Sequence, residues 1–155
     1  YLLLDQPHGP SVIGEPELRQ RLAGLGAAGD RALVRAVEAA ALLVQNAAKQ
    51  KVPKRTRTLS RSITTEVTRQ GDAVEARIGP SVVYGKYVEY GTGIYAEGGN
   101  GRQAPWVFKG AGGKFYTTHG ARPKPYMRPA LDENREKAIR EIGRVFRAQL
   151  TRPGP

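Results

Sequence analysis

Apolar residues in this chain change period twice, and that change decides the class of fold. From about Asp30 to about Lys51, Leu33, Val37, Ala41, Val44 and Ala48 recur at the spacing of one helix face. Asp30 is a suitable N-cap, Lys49 and Lys51 favour the helix dipole at the other end, and Pro53 stops the helix. The period then falls to two. Ile63, Thr65 and Val67 alternate with polar residues, Gln70-Gly71-Asp72 turns the chain, and Val74, Ala76 and Ile78 alternate back, which predicts a β-hairpin. A last helix is predicted from Pro129 to about Leu150. Asp132, Glu133 and Glu136 stand at its start, Arg140, Arg144 and Arg147 towards its end, and Leu131, Ala138, Ile142, Val145 and Phe146 form its buried stripe. A shorter helix is expected ahead of Asp30, with Pro16 in its first turn and Leu18, Leu22 and Leu25 on one face, broken by Gly24, Gly26 and Gly29. The expected fold is therefore α+β, a long helix in the N-terminal half and a C-terminal helix packed on an antiparallel sheet.

A length of 155 residues sets one domain, 1–155, with its core at about 15–150 and flexible tails at 1–14 and 151–155. The chain holds 19 Gly and 11 Pro, so loops take an unusual share of it, and 95–125 reads as a loop or arm. Within that excursion a second hairpin is expected at Trp106–Thr118, closed by Gly110-Ala111-Gly112-Gly113. A symmetric register pairs Phe108 with Phe115 and Trp106 with Thr117, and sets Lys109 opposite Lys114, where like charges repel. An acidic surface on another subunit would neutralise that pair, so the hairpin reads as an arm reaching a partner.

Charge is uneven. The formal net charge is +11. Residues 51–70 hold six Lys and Arg against Glu66, residues 98–131 hold six more and no acid, and 71–97 between them is mildly acidic. Such a surface suits acidic neighbours, nucleic acid included. The absence of Cys removes disulfides, thiolate zinc sites and cysteine nucleophiles, and two His argue against a His-rich metal site. No apolar run reaches the ~18 residues of a membrane span, and Tyr1-Leu2-Leu3-Leu4 is too short for a signal h-region. The glycines at 98, 99, 101, 110, 112 and 113 fit no phosphate-cradling pattern, because no Gly-Lys-Ser/Thr follows them.

Three motifs follow one another along the chain. Pro53-Lys54-Arg55-Thr56-Arg57-Thr58-Leu59-Ser60-Arg61-Ser62-Ile63 resembles a Pro-x-x-Thr-Gly-x-Leu-x-x-Ser-Ile signature, with Arg57 where the signature has Gly. Tyr84-Gly85-Lys86-Tyr87-Val88-Glu89-Tyr90-Gly91-Thr92 resembles Tyr-Ala-x-Tyr-Val-Glu-Phe-Gly-Thr. His119–Leu131, which contains Pro123-Lys124-Pro125-Tyr126-Met127-Arg128-Pro129-Ala130-Leu131, is similar to Gly-x-x-Pro-x-Pro-Phe-Met-x-Pro-Ala-Leu. Gly85 thus replaces a usual Ala, and Tyr90 and Tyr126 a common Phe. In this order, over about residues 15–150, the motifs resemble the phage head–tail joining or tail-completion family typified by gene product ten of the Hong Kong phage ninety-seven.

The resemblance implies a small α+β structural protein of a tailed-phage virion, assembled in the host cytoplasm. It implies a homo-oligomeric ring in the neck, six copies as the first expectation and twelve as the second, with packaged double-stranded DNA passing through. Its neighbours would be connector, adaptor or stopper proteins on the head side and a tail terminator or tail tube on the tail side. It implies no enzyme activity, no cofactor and no membrane contact.

The residues allow the following roles. Glu89 would pair with a basic residue of a neighbouring subunit, or would find an intrachain partner that fixes the turn Gly91-Thr92 after an aromatic strand. No second carboxylate or His stands near it to support acid–base chemistry. Pro123, Pro125 and Pro129 stiffen a strip that either lies across a partner or orients the last helix, with Tyr126 and Met127 as core plugs. Tyr87, Tyr90, Trp106, Phe108, Lys109, Lys114 and Phe115 complete the candidate subunit interface. The loop carrying Lys51, Lys54, Arg55, Arg57 and Arg61 is the candidate DNA-channel strip, since phosphate contact needs only exposed cations. No aromatics interleave with those five, and no helix-turn-helix appears, so base-specific reading is not expected. His8 and His119 read as polar loop residues. Net charge alone also fits a different function, a stand-alone basic nucleic-acid-binding protein.

Overall fold

A computed structural model describes residue 20 and residues 23–53, 57–71 and 73–151. The fold is α+β, and the chain divides into two compact units. The first comprises Tyr1–Asn46, Thr65–Gly79 and Glu133–Pro155; the second comprises Ala47–Thr64 and Pro80–Asp132. The predicted short helix over Pro16, Leu18 and Leu22 lies mostly outside the described residues.

In the first unit the long helix α1, Gly26–Lys51, contributes all but its last turn. It begins four residues ahead of Asp30, so Asp30 is not its N-cap. Ala27 and Ala28 extend the helix at little cost, and the Asp30 carboxylate instead pairs with Arg69. The predicted face is covered in its second half, where Ala41, Val44 and Ala48 are buried, whereas in the first half Ala32, Ala36 and Ala40 are buried in place of Leu33 and Val37, which are only half-buried; Leu42 is 51% exposed. Small side chains, mostly alanine, thus make up the buried face of this helix. The first hairpin forms as the alternation predicts, from β1 (Ile63–Gln70) and β2 (Ala73–Pro80). The buried Gln45 on α1 accepts a hydrogen bond from the Thr65 hydroxyl at 2.8 Å, which satisfies a polar group that would otherwise cost free energy.

The second unit holds a short helix α2 (Arg57–Ser62), a helix α3 (Tyr84–Tyr90), a 3₁₀ turn (Gly93–Tyr95) and a hairpin of β3 (Trp106–Lys109) and β4 (Phe115–Thr118). It also holds the opening of α4, Met127–Leu150, which starts two residues ahead of Pro129. Leu59, Ile63 and Tyr126 are its largest fully buried side chains. Two expectations change here. The aromatic run 84–90 is a helix and not a strand, with Gly85 and Glu89, four apart, on its buried side. Arg57, which stands where the signature has Gly, opens α2, and no non-glycine residue among those described has a positive φ. The two strand pairs form two separate two-stranded sheets in place of one sheet.

The register of the second hairpin is also shifted by one. Trp106 faces Thr118, Phe108 faces Tyr116 and Lys109 faces Phe115. The loop holds five residues because Gly110 N–H donates to the Lys114 carbonyl, and Gly112 and Gly113 adopt φ of 82° and 81°. Lys109 therefore does not oppose Lys114, and its ammonium lies over the Phe115 ring. The like-charge repulsion expected at this hairpin is therefore absent.

Candidate functional site

The most constrained place in the second unit is the Glu89 carboxylate, whose side chain is 3% exposed on α3. Its Oε2 accepts the backbone N–H groups of Tyr126 and Met127 at 2.7 and 2.9 Å. Its Oε1 accepts the Arg128 N–H at 3.1 Å and the Arg128 Nε at 3.0 Å. The N–H groups at a helix start have no intrahelical acceptor, so one carboxylate satisfies three of them and complements the α4 dipole. Burial is the largest single influence on Glu89 and would raise its pKa. The N–H donors of Met127, Tyr126 and Arg128 together with the Arg128 side chain outweigh it, and the carboxyl titrates below its ordinary value.

Arg128 extends the anchor outward. Its NH1 and NH2 reach the two oxygens of Glu97 at 2.8 Å each, and its guanidinium lies 4.9 Å from the Tyr90 ring centre. Those hydrogen bonds, Glu97 first and Glu89 second, hold Arg128 more firmly charged than usual. Beneath them the Tyr126 hydroxyl donates to the Gly85 carbonyl at 3.2 Å. Burial first, and the Glu89 charge second, push the Tyr126 phenol up to about 12.

A run of backbone bonds joins the second motif to the third. Thr92 N–H donates to the Ala121 carbonyl, Ile94 N–H to His119 and Lys124 N–H to Val88, while the Thr92 hydroxyl accepts Ala121 N–H. Gly93 (φ 61°) and Gly120 (φ 124°) face each other across this seam, where a Cβ on either would strike the opposing backbone. The proline strip thus lies along its own chain and orients α4. Tyr126, fully buried, and Met127, 7% exposed, fill the core. The intrachain reading of Glu89 is the one the geometry shows, although the segment it secures is the start of α4 and not Gly91.

Other predicted residues separate into three groups. Val107, Phe108, Phe115 and Tyr116 expose 46% to 72% of their surface on both faces of the β3–β4 hairpin, where the Phe108 and Tyr116 rings stack 5.7 Å apart. Tyr87, Tyr90 and Trp106 line a cleft of about 530 Å³ with Lys86, Asn100 and Arg102. Lys86 lies 5.2 Å from the Tyr87 ring centre and Arg102 5.6 Å from that of Trp106. The strip 51–61 is not a continuous loop. Lys51 is half-buried and engaged at the end of α1, Arg57 and Arg61 are exposed on α2, and Lys54 and Arg55 lie outside the described residues. The pairing of cations with rings in the second unit was not read from the sequence, because Arg122 and Tyr95, 4.7 Å apart in space, are far apart in the chain.

The second unit thus joins a fully satisfied internal anchor to an exposed aromatic hairpin, the construction of a structural module. Residues 17–91 match a family model described as "Bacteriophage HK97-gp10, putative tail-component". The family expected from the motifs is therefore the family found over that span, which marks the chain as a structural component of a bacteriophage tail and hence of the virion. The match contains the first motif and all but the last residue of the second, and it ends before the third, which is bound to the second by the Glu89 anchor. No curated protein and no solved structure matches the chain. Among the described residues, no helix is long and apolar enough to cross a membrane.

Proposed function

We propose that this chain acts as a single structural domain that assembles into a homo-oligomeric ring in the neck of a tailed phage. The ring, of six copies in the first instance and twelve in the second, joins head to tail around the DNA channel and performs no catalysis. The observation that carries this reading is the β3–β4 hairpin. It exposes four large apolar side chains on both faces of an isolated two-stranded sheet, a construction of marginal stability in water. A neighbouring subunit would cover those faces, and a head-to-tail contact whose rotation closes makes a ring. The same neck position would place connector or stopper proteins on one side and a terminator or tail tube on the other.

Native mass spectrometry and electron microscopy of the purified protein test the reading. Rings are expected to persist at high salt, and Phe108→Ser with Phe115→Ser is expected to release monomers that remain folded. Monomers alone, together with a DNA affinity that falls steeply with salt, would overturn it in favour of an independent nucleic-acid-binding protein.

A further inference from the structure

The aromatic cleft lies wholly within the second unit, and its lining shares no residue with the four exposed side chains of the hairpin. Tyr87 and Tyr90 come from the end of α3, Asn100 and Arg102 from the loop after the 3₁₀ turn, and Trp106 from the first position of β3. Its walls are tied together. Glu97 N–H donates to the Tyr90 carbonyl at 2.9 Å and Ala96 N–H to that of Gly93 at 3.1 Å, and a Cβ on Gly101 would strike the Gly93 carbonyl. A preformed cleft of about 530 Å³ takes a few side chains of a partner with little reorganisation.

Each aromatic side chain in the cleft carries a cation over its ring. Lys86 lies over Tyr87, Arg102 over Trp106 and Arg128 over Tyr90. Arg128 is spent on Glu89 and Glu97, whereas the exposed Lys86 and Arg102 reach no carboxylate among the described residues. The acid in the lining, Glu97, is itself taken by both terminal nitrogens of Arg128. Two cations without an acid thus stand above an apolar floor. Trp, Tyr and Arg together are the side chains that carry most of the energy at protein–protein contacts. A nucleobase would have to displace a cation to stack on that side of a ring. A carboxylate next to an apolar side chain uses cation and ring as they stand. The hairpin tip of a second copy, with Lys109 and Lys114, has the wrong sign for this site.

We propose that this cleft is a docking site for an acidic peptide segment of another protein, one in which large apolar side chains alternate with carboxylates. The apolar side chains lie against Tyr87, Tyr90 and Trp106, and the carboxylates pair with Lys86 and Arg102. Charge complementarity of this kind steers the encounter and suppresses wrong partners. The inference rests on the cleft alone and stands whether or not rings form.

The test is a titration of the full chain with the capped hexapeptide Gly-Asp-Phe-Glu-Leu-Gly. Trp106 is the only tryptophan in the chain, so its emission reports on the cleft. A saturable blue shift is expected as the indole is covered. The Kd should be about ten-fold lower than for either of two control peptides, one with lysine at both acidic positions and one with serine at both apolar positions. Binding should weaken several-fold as salt approaches about 1 M, where the screening length is about 3 Å. Lys86→Glu with Arg102→Glu, both at exposed positions, should weaken it about ten-fold or more while circular dichroism stays unchanged. Equal affinity for the three peptides, an unshifted Trp106 emission at millimolar peptide, or indifference to the charge reversal would overturn the proposal. Displacement of the peptide by a more tightly bound single-stranded oligothymidylate would also overturn it and make the cleft a nucleic-acid site.

Discussion

The two units of this molecule solve the problem of a small core in opposite ways. The second unit buries large side chains, Leu59, Ile63 and Tyr126, and it buries a charge and satisfies it. The described residues of the first unit bury only alanines and Val44 among their apolar side chains, beside the single polar Gln45. Charge divides along the same line. The second unit carries 13 Lys and Arg against three acids, whereas the first carries 12 against 11, so nearly all of the net charge resides in the second. Every cation–ring pair among the described residues is there too. Fixed geometry and chemical character thus coincide in one unit, while the other is a nearly neutral packing of small residues.

The largest test of that contrast sets two carboxylates against each other. Glu89→Gln removes the charge that holds three helix-start N–H groups and leaves Arg128 without its buried partner, so a loss of about 3 kcal/mol is expected. Asp30→Asn breaks a pair exposed by about two-fifths on each side, and should change stability by about 0.5 kcal/mol or less. Denaturant unfolding of both variants measures the difference, and hydrogen exchange at residues 126–128 locates it. Equal losses would mean that the units do not differ in the way their burial suggests.

A smaller effect, about 2 kcal/mol, is expected for Gly85→Ala. A Cβ at that position would lie 2.5 Å from Pro80 Cγ and 3.0 Å from the Tyr126 hydroxyl. This geometry links two departures from the family signature, Gly for Ala at 85 and Tyr for Phe at 126. The added hydroxyl occupies space that an alanine methyl would need. Tyr126→Phe should cost about 1 kcal/mol by itself, through its lost hydrogen bond to the Gly85 carbonyl. In the double variant the losses should fall short of their sum, because one clash has been removed while that with Pro80 remains. Strict additivity would show that the two departures are unrelated.

These positions also show what was legible from residues alone. The period change between 30–51 and 63–78 was enough for α1 and the first hairpin, because each buries one regular face. Run 84–90 defeated the same logic. Its tyrosines suggest a strand, yet the residues that decide its state are Gly85 and Glu89, whose burial depends on a segment some forty positions later. Glu89 was visible as a lone acid among aromatics, but its role was not, since its partners are backbone N–H groups and any residue supplies those. The hairpin register failed by one position because two glycines at positive φ allow a five-residue loop as readily as a four-residue one.

Acidity should separate the units further. Glu89 titrates below its ordinary value of 4.5 in the folded chain, so its contribution is complete above that value. It is lost as pH falls through the lowered folded value, when the carboxyl protonates and releases its donors. Tyr126 sets the opposite edge. Its phenol is raised to about 12, so its contribution is complete below the ordinary value of 10.0 and is lost as pH rises through about 12. Exchange protection at 85–92 and 121–128 should therefore decline at both extremes before that of α1 and the first hairpin. Glu89→Gln should flatten the acid edge, and Tyr126→Phe the alkaline one. Simultaneous loss of protection throughout the chain would show the two units to be one cooperative system.

The smallest expected effect lies in the first unit, at Ile139 on α4, which is 62% exposed. Replacing a side chain so exposed removes little buried area, so Ile139→Ser should alter the stability of the isolated chain by no more than about 0.5 kcal/mol. The value of the measurement is in its dependence on protein concentration. A chain whose first unit stands alone gives the same midpoint at every concentration, because no association is linked to folding. If the serine variant instead loses more at high concentration than at low, Ile139 is covered in an assembly that forms in solution. The modest core of the first unit would then be completed by neighbours, and the contrast between the units would be a property of the free subunit alone.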